Sequence, residues 1–214
     1  LGCHLILIAA LLDSFDGKLA RKIGVVSSFG KEIDSLADVV SFCLAPSFLV
    51  FNILYKPNIM GSTSEFLFLY TAIISSFPVL MGAIRLARFN VEHTEESVSK
   101  YYFGLPSPMS AIAICSIIML KLELLDSYFS LMNIDSYFFD FNIILPIIIL
   151  LSFLMVGKVQ FSKFPLFSFS KGRTNSIRLI LLLLSFIILG ISSIFGFLHI
   201  TLFLFSIYYI LSNT

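Results

Sequence analysis

Apolar stretches of about 15 to 25 residues recur along the chain, separated by short polar connectors, with neither strand-like alternation nor the one-sided stripe of a soluble helix. A bilayer core roughly 30 Å thick is crossed by about 20 helical residues, and in lipid only helices or closed barrels satisfy their own backbone. Unbroken runs such as IILPIIILLSFLMVG (143–157) favour helices over barrel strands. The pattern predicts an all-α, polytopic transmembrane bundle with spans at about 1–19, 30–55, 65–89, 104–124, 141–158, 178–195 and 197–212. The last two come from one apolar run, divided near Gly196 because undivided it would form a helix of roughly 50 Å. Pro78 and Pro146 fall inside spans and are expected to kink them. Leu1–Leu12 alone covers only about 18 Å and reaches span length by continuing through Asp13 to Leu19. A further span is expected before it. Without an internal repeat or low-complexity linker, residues 1–214 read as one domain.

Composition sharpens this picture. The chain is 58% hydrophobic and 13% charged, with a net charge of +1 and no basic run of the kind that binds nucleic acid. Cys3, Cys43 and Cys115 sit singly in apolar segments, which argues against a disulfide framework or zinc site and for small buried hydrophobes. Sorted by alternating loops, Lys18, Arg21, Lys22, Lys31, Arg85, Arg88, Lys100, Lys158, Lys163, Lys171, Arg173 and Arg178 fall on one side, and only Lys56 and Lys121 on the other. By the positive-inside rule the first side is cytoplasmic.

Against this background DSFDGKLARKIGVVSSFGKEIDSLAD (13–38) stands out. Asp13 and Asp16 are three apart and Asp34 and Asp38 four apart, so on helices each pair shares a face. Four carboxylates beside apolar segments repel one another and resist desolvation unless a counter-charge joins them. Hard oxygen ligands suit Mg²⁺ or Mn²⁺, ions that also take phosphate-bearing substrates. Gly17, Ala20 and Gly30 allow a close approach, and Arg21 offers a planar fork to phosphate oxygens. The combination fits a metal-bound diphosphate ester better than a solvated helix end.

The spacing D-x2-D-G-x2-A-R-x8-G-x3-D-x3-D, met by Asp13, Asp16, Gly17, Ala20, Arg21, Gly30, Asp34 and Asp38, resembles that of the CDP-alcohol phosphatidyltransferases. DSLADVVSFCLAPS (34–47), RLARFN (85–90) and FGLPSPMSA (103–111) look like the branch that uses serine, although Cys43 stands where glycine is expected. The resemblance implies an integral enzyme of the cell membrane, with its site at the cytoplasmic face. It would transfer a phosphatidyl group from CDP-diacylglycerol to serine, giving phosphatidylserine and CMP. It further implies two Mg²⁺ or Mn²⁺ ions held by Asp13, Asp16 and Asp34, with Asp38 as ligand or general base. Gly17, Ala20, Arg21 and Gly30 would line the CDP-lipid pocket, and the enzyme would be a homodimer among membrane lipids.

A zwitterionic acceptor calls for a cation near its carboxylate. Arg85 and Arg88, three apart at the cytoplasmic end of a span, are the candidates, with Asn90 beside them. The competing role is to snorkel or to mark the flank, and for Asn90 to end the helix. His4 and His199 read as packing residues, and the GLPSP turn as rigid backbone before a span. Other acceptors, glycerol phosphate or inositol phosphate, or an archaeal ether CDP-lipid as donor, are alternatives within the family. A divalent-cation transporter is the alternative outside it. One-sided clustering of the carboxylates and the presence of Arg21 speak against that reading.

Overall fold

The computed structural model describes residues 1–23, 28–55, 64–92, 101–126, 128, 143–162 and 173–212. These are overwhelmingly helical: α1 (Gly2–Ile23), α2 (Ser28–Asp38), α3 (Ala45–Leu54), α4 (Ser64–Ser75), α5 (Phe77–Glu92), α6 (Ser107–Leu120), α7 (Leu145–Val156), α8 (Arg173–Ile194) and α9 (Leu198–Leu211). A π turn, Val39–Leu44, joins α2 to α3, and another, Lys121–Leu125, extends α6. Two continuous helices are long and apolar enough to cross a membrane, Glu32–Leu54 of 23 residues and Phe68–Val91 of 24.

Helix α6 forms the centre. Its buried residues run all round it, from Ser107 and Met109 through Ala113, Ile114 and Cys115 to Met119, the expected state of a helix without a polar face. Around it pack α1, α3, α7, α9 and the first π turn. The Cys3 and Cys115 thiols meet between α1 and α6, both buried and both free. The outer helices turn large apolar side chains outward, among them Leu5, Phe48, Leu69, Ile84, Leu150 and Ile187.

Each sequence-level break has a local cause. Ser76 marks a turn between α4 and α5 within the Phe68–Val91 helix, two residues before Pro78, whose missing N–H leaves Ile74 O without its i+4 donor. Pro146 is in the first turn of α7, but Ile143 and Ile144 before it are already wound as a π turn, so the proline falls inside a helical stretch. Between α8 and α9 the N–H of Phe197 bonds to Ser192 O (2.8 Å) and that of Gly196, at φ 79°, to Ser193 O (3.4 Å). This is a Schellman closure, and it divides the C-terminal apolar run where expected. Ser192 Oγ and Thr201 Oγ1, 2.8 Å apart, tie the two helices beyond it.

The all-α expectation needs one correction. Tyr101–Phe103 (β1) and Gln160–Ser162 (β2) form an antiparallel pair in the register Tyr101↔Ser162 and Phe103↔Gln160. Residues 104–106 therefore make a corner, and α6 starts at Ser107, three residues later than the span expected from 104. Gly104 (φ 79°) donates to Val159 O (2.9 Å) and Leu105 to Leu154 O (3.0 Å), welding the corner to the end of α7. Phe161 of β2, fully buried, stacks on Tyr209 of α9 with ring centroids 5.9 Å apart.

A Cβ at Gly104 would overlap the carbonyl oxygen of Met155, and the positive φ disfavours any side chain. Gly104→Ala is expected to destabilise the protein by about 3 kcal/mol. Thermal unfolding in detergent checks this, and an unchanged melting temperature would refute the account of the corner.

Candidate active site

The second half of the aspartate motif lies on α2. Asp34 is exposed and Asp38, one turn on, half-buried, so their Cβ atoms are about 6 Å apart. Gly30, exposed, precedes Asp34 by one turn. On α1 the half-buried Asp13 belongs to the motif's first half, and its neighbour Ser14 bonds back to Ala10 O (3.1 Å). Asp16, Gly17, Ala20 and Arg21 fall on α1, but their side chains lie outside the described residues. Among the described residues no three carboxylate, imidazole or thiol side chains stand together as a metal cage. What α2 offers is the donor chemistry: two hard carboxylates one turn apart, the kind a divalent cation bridging phosphate oxygens takes.

Directly after Asp38 the helix widens. Ala45 N–H bonds to Val40 O, five residues back, and Pro46, with no N–H, leaves Phe42 O without the usual i+4 donor. The wide turn re-phases α3 relative to α2 and presses Cys43, fully buried, against α5 at Gly82. The charges of Asp38 on α2 and Arg85 on α5 both act on this thiol.

The last turns of α5 bring together the residues proposed for the acceptor. Arg85 is buried, and its Nη1 donates to Ser107 Oγ (3.0 Å) in the first turn of α6. Arg88 Nη2 donates to Val156 O (3.1 Å), one of the carbonyls that the end of α7 cannot bond within the helix. Asn90 Nδ2 donates to Ser35 Oγ (3.1 Å), between Asp34 and Asp38 on α2. Helix α5 runs on to Glu92, so Asn90 does not end it. Each of the three thus reaches a different element. Sequence reasoning found the α5 side of these contacts and missed Ser35 and Ser107, although both lie inside stretches quoted for the resemblance.

The opposite end is simpler. His199, buried at the start of α9, places Nδ1 2.6 Å from Glu123 Oε2 beyond α6, in keeping with a packing role.

The family model for CDP-alcohol phosphatidyltransferase matches residues 1–150, and the chain belongs to this family. The CDP-diacylglycerol–serine O-phosphatidyltransferase of Helicobacter pylori is 34% identical over 167 residues, 77% of this chain and 61% of that protein. The enzyme of the same name from Methanocaldococcus jannaschii is 36% identical over 161 residues, 75% of this chain and 63% of its own. Archaetidylserine synthase of Methanothermobacter thermautotrophicus is 38% identical over 116 residues, 53% of this chain and 44% of its own. The chain thus spans about three fifths of the length of the first two relatives.

Cys43, standing where the resemblance leads one to expect glycine, is accommodated by Gly82, whose Cβ would overlap Cys43 Sγ and come 3.2 Å from Met155 Cε. Gly82→Ala should therefore cost about 1–3 kcal/mol by overpacking. In a Cys43→Gly background the same alanine should cost nothing or stabilise. Melting temperatures of the four proteins test this, and additive losses would refute the pairing.

Proposed function

We propose that this protein is a membrane-embedded transferase that moves a phosphatidyl group from CDP-diacylglycerol to the hydroxyl of serine, releasing CMP. The observation that carries the reading is the hydrogen bond from Asn90 to Ser35, which joins the end of α5 to α2. Asp34 and Asp38 stand on one helix, and Arg85, Arg88 and Asn90 on the helix packed beside the turn that follows. The donor's diphosphate would meet the carboxylate side and the zwitterionic acceptor the guanidinium side. Membership of the family and the names of the relatives support the reaction class, and those names divide between phosphatidyl and archaetidyl lipids. An ether-linked donor is therefore the second reading.

The membrane setting rests on the two spanning-length helices and on the large apolar side chains turned outward. A water-soluble monomer rarely exposes apolar patches beyond a few hundred Å². We place seven spans in the bilayer, with the site at the cytoplasmic face as the charge bias directs. The protein is proposed to work as a homodimer in the cell membrane.

Asp13, Asp16, Asp34 and Asp38 would hold Mg²⁺ or Mn²⁺, which when bound neutralises phosphate charge and eases the departure of CMP. Gly17, Ala20 and Gly30 would let the diphosphate lie close to backbone, and Arg21 would fork onto its oxygens. Asp38, half-buried, would accept the proton of serine's hydroxyl as that oxygen attacks phosphorus. Arg85, at the positive N-terminal end of α6, adds to the pull on the acceptor's carboxylate. A guanidinium has five N–H donors, so the contact of Arg88 with Val156 O is compatible with holding that same carboxylate.

The full-length protein, supplied with CDP-diacylglycerol, Mn²⁺ and labelled serine, should label lipid and release CMP. Asp38→Asn should lower the rate about 100-fold or more. Arg88→Lys should raise KM for serine more than KM for the CDP-lipid, since a point charge cannot fork a carboxylate. CMP release with another alcohol only would replace the acceptor, and none with any alcohol would refute the chemistry.

A further inference from the structure

Ser35 and Asn90 are 55 residues apart in sequence, yet the carboxamide and the hydroxyl meet at 3.1 Å. Ser35 directly follows Asp34 and precedes Asp38 by three residues, the spacing that puts Ser35 and Asp38 on one helix face. Ser35 and Asp38 are both half-buried, whereas Asp34 is exposed. The Ser35 face of α2 is therefore the α5 face. Below Asp38 the helix gives up its regular phase in the π turn, so the rotation of α2 is not inherited from α3. A polar pair held between two helices resists rotation, because turning either helix pulls donor and acceptor out of hydrogen-bond geometry.

We propose that Ser35 and Asn90 are positioning residues acting as one unit: their hydrogen bond sets the rotation of α2, and with it the aim of Asp38. On this account Asn90 works through Ser35 instead of touching the acceptor, and α5 couples the acceptor side of the site to the carboxylate side. The inference rests on the transferase reading for its chemistry and names a residue of the motif stretch, Ser35, to which that reading gives no role.

The test uses the full-length enzyme with Ser35→Ala, Ser35→Thr, Asn90→Ala and the double alanine variant. Two readouts are taken: CMP release, and the rise in melting temperature on adding Mn²⁺ alone. Each alanine should lower kcat and raise the half-saturating Mn²⁺ concentration about tenfold, as loss of a contact behind a metal ligand does. KM for serine should stay within about twofold. The double variant should be no worse than either single one, since coupled partners are lost only once. Ser35→Thr, which keeps the hydroxyl, should recover both readouts.

The proposal is overturned if Asn90→Ala raises KM for serine while Ser35→Ala behaves as wild type, which would make Asn90 a substrate ligand. Multiplying losses in the double variant, or a Ser35→Thr as impaired as Ser35→Ala, would overturn it equally. If the wild type releases no CMP with serine, the transferase reading falls and the melting readout decides the pair. Stabilisation by Mn²⁺ in wild type and Ser35→Thr, but not in the alanine variants, upholds it. A Mn²⁺ shift that is the same in all of them, or absent from the wild type, sinks it.

Discussion

The end of α5 must hold two guanidinium groups and a carboxamide in a largely apolar bundle, and much of the architecture follows from how it does so. A charge taken out of water costs several kcal/mol unless hydrogen bonds meet it. Arg85 meets that demand at the first turn of α6, Arg88 at the last carbonyl of α7, and Asn90 at Ser35 of α2. Three short contacts from one helix thus bind three others at one end of the molecule. Hydrogen bonds to charged groups contribute about 1.5–3 kcal/mol each, and here each also fixes a direction. Turning α5 would break all three together.

The backbone around this hub is irregular where regular helix would misplace it. The corner at Gly104 lets β1 pair with β2 and brings Ser107 under Arg85. Leu105 N–H and Arg88 take Leu154 O and Val156 O, carbonyls that α7 leaves unbonded at its end. The π turn after Asp38, tied to Pro46, swings Cys43 onto Gly82 and lets α2 keep its own rotation. At the far end a Schellman turn and the Glu123–His199 contact only close the bundle. A second π turn, Lys121–Leu125, lies at that far end, so what distinguishes the end carrying Asp38 is that its π turn also seats Cys43 against α5.

The helices were legible because lipid-length apolar runs admit few other structures, and the break at Gly196 because one run was too long to be one span. The centrality of α6 was not legible, since an evenly apolar helix gives no periodic signal of which neighbours surround it. Three-residue strands are too short to show alternation, so the Tyr101–Ser162 pairing was invisible. At the candidate site, the carboxylate pattern was readable from the spacing of Asp13, Asp16, Asp34 and Asp38. The partners were not: nothing local links Ser35 to Asn90 or Arg85 to Ser107, because those contacts exist only once α5 is packed.

On the transferase reading, this division between two helices has a chemical logic. The donor is a lipid and must enter from the side of the bundle, while serine is soluble and must enter from its end. Asp34 and Asp38 stand on α2 and Arg85 and Arg88 on α5, with a hydrogen-bonded pair, Ser35 and Asn90, joining the two helices. Arg85 and Arg88 are further restrained by a hydroxyl and a carbonyl, neither of which cancels their charge. The helix that orients the guanidiniums is thus also tied to the helix that carries the carboxylates, so one packing geometry sets both sides of the site.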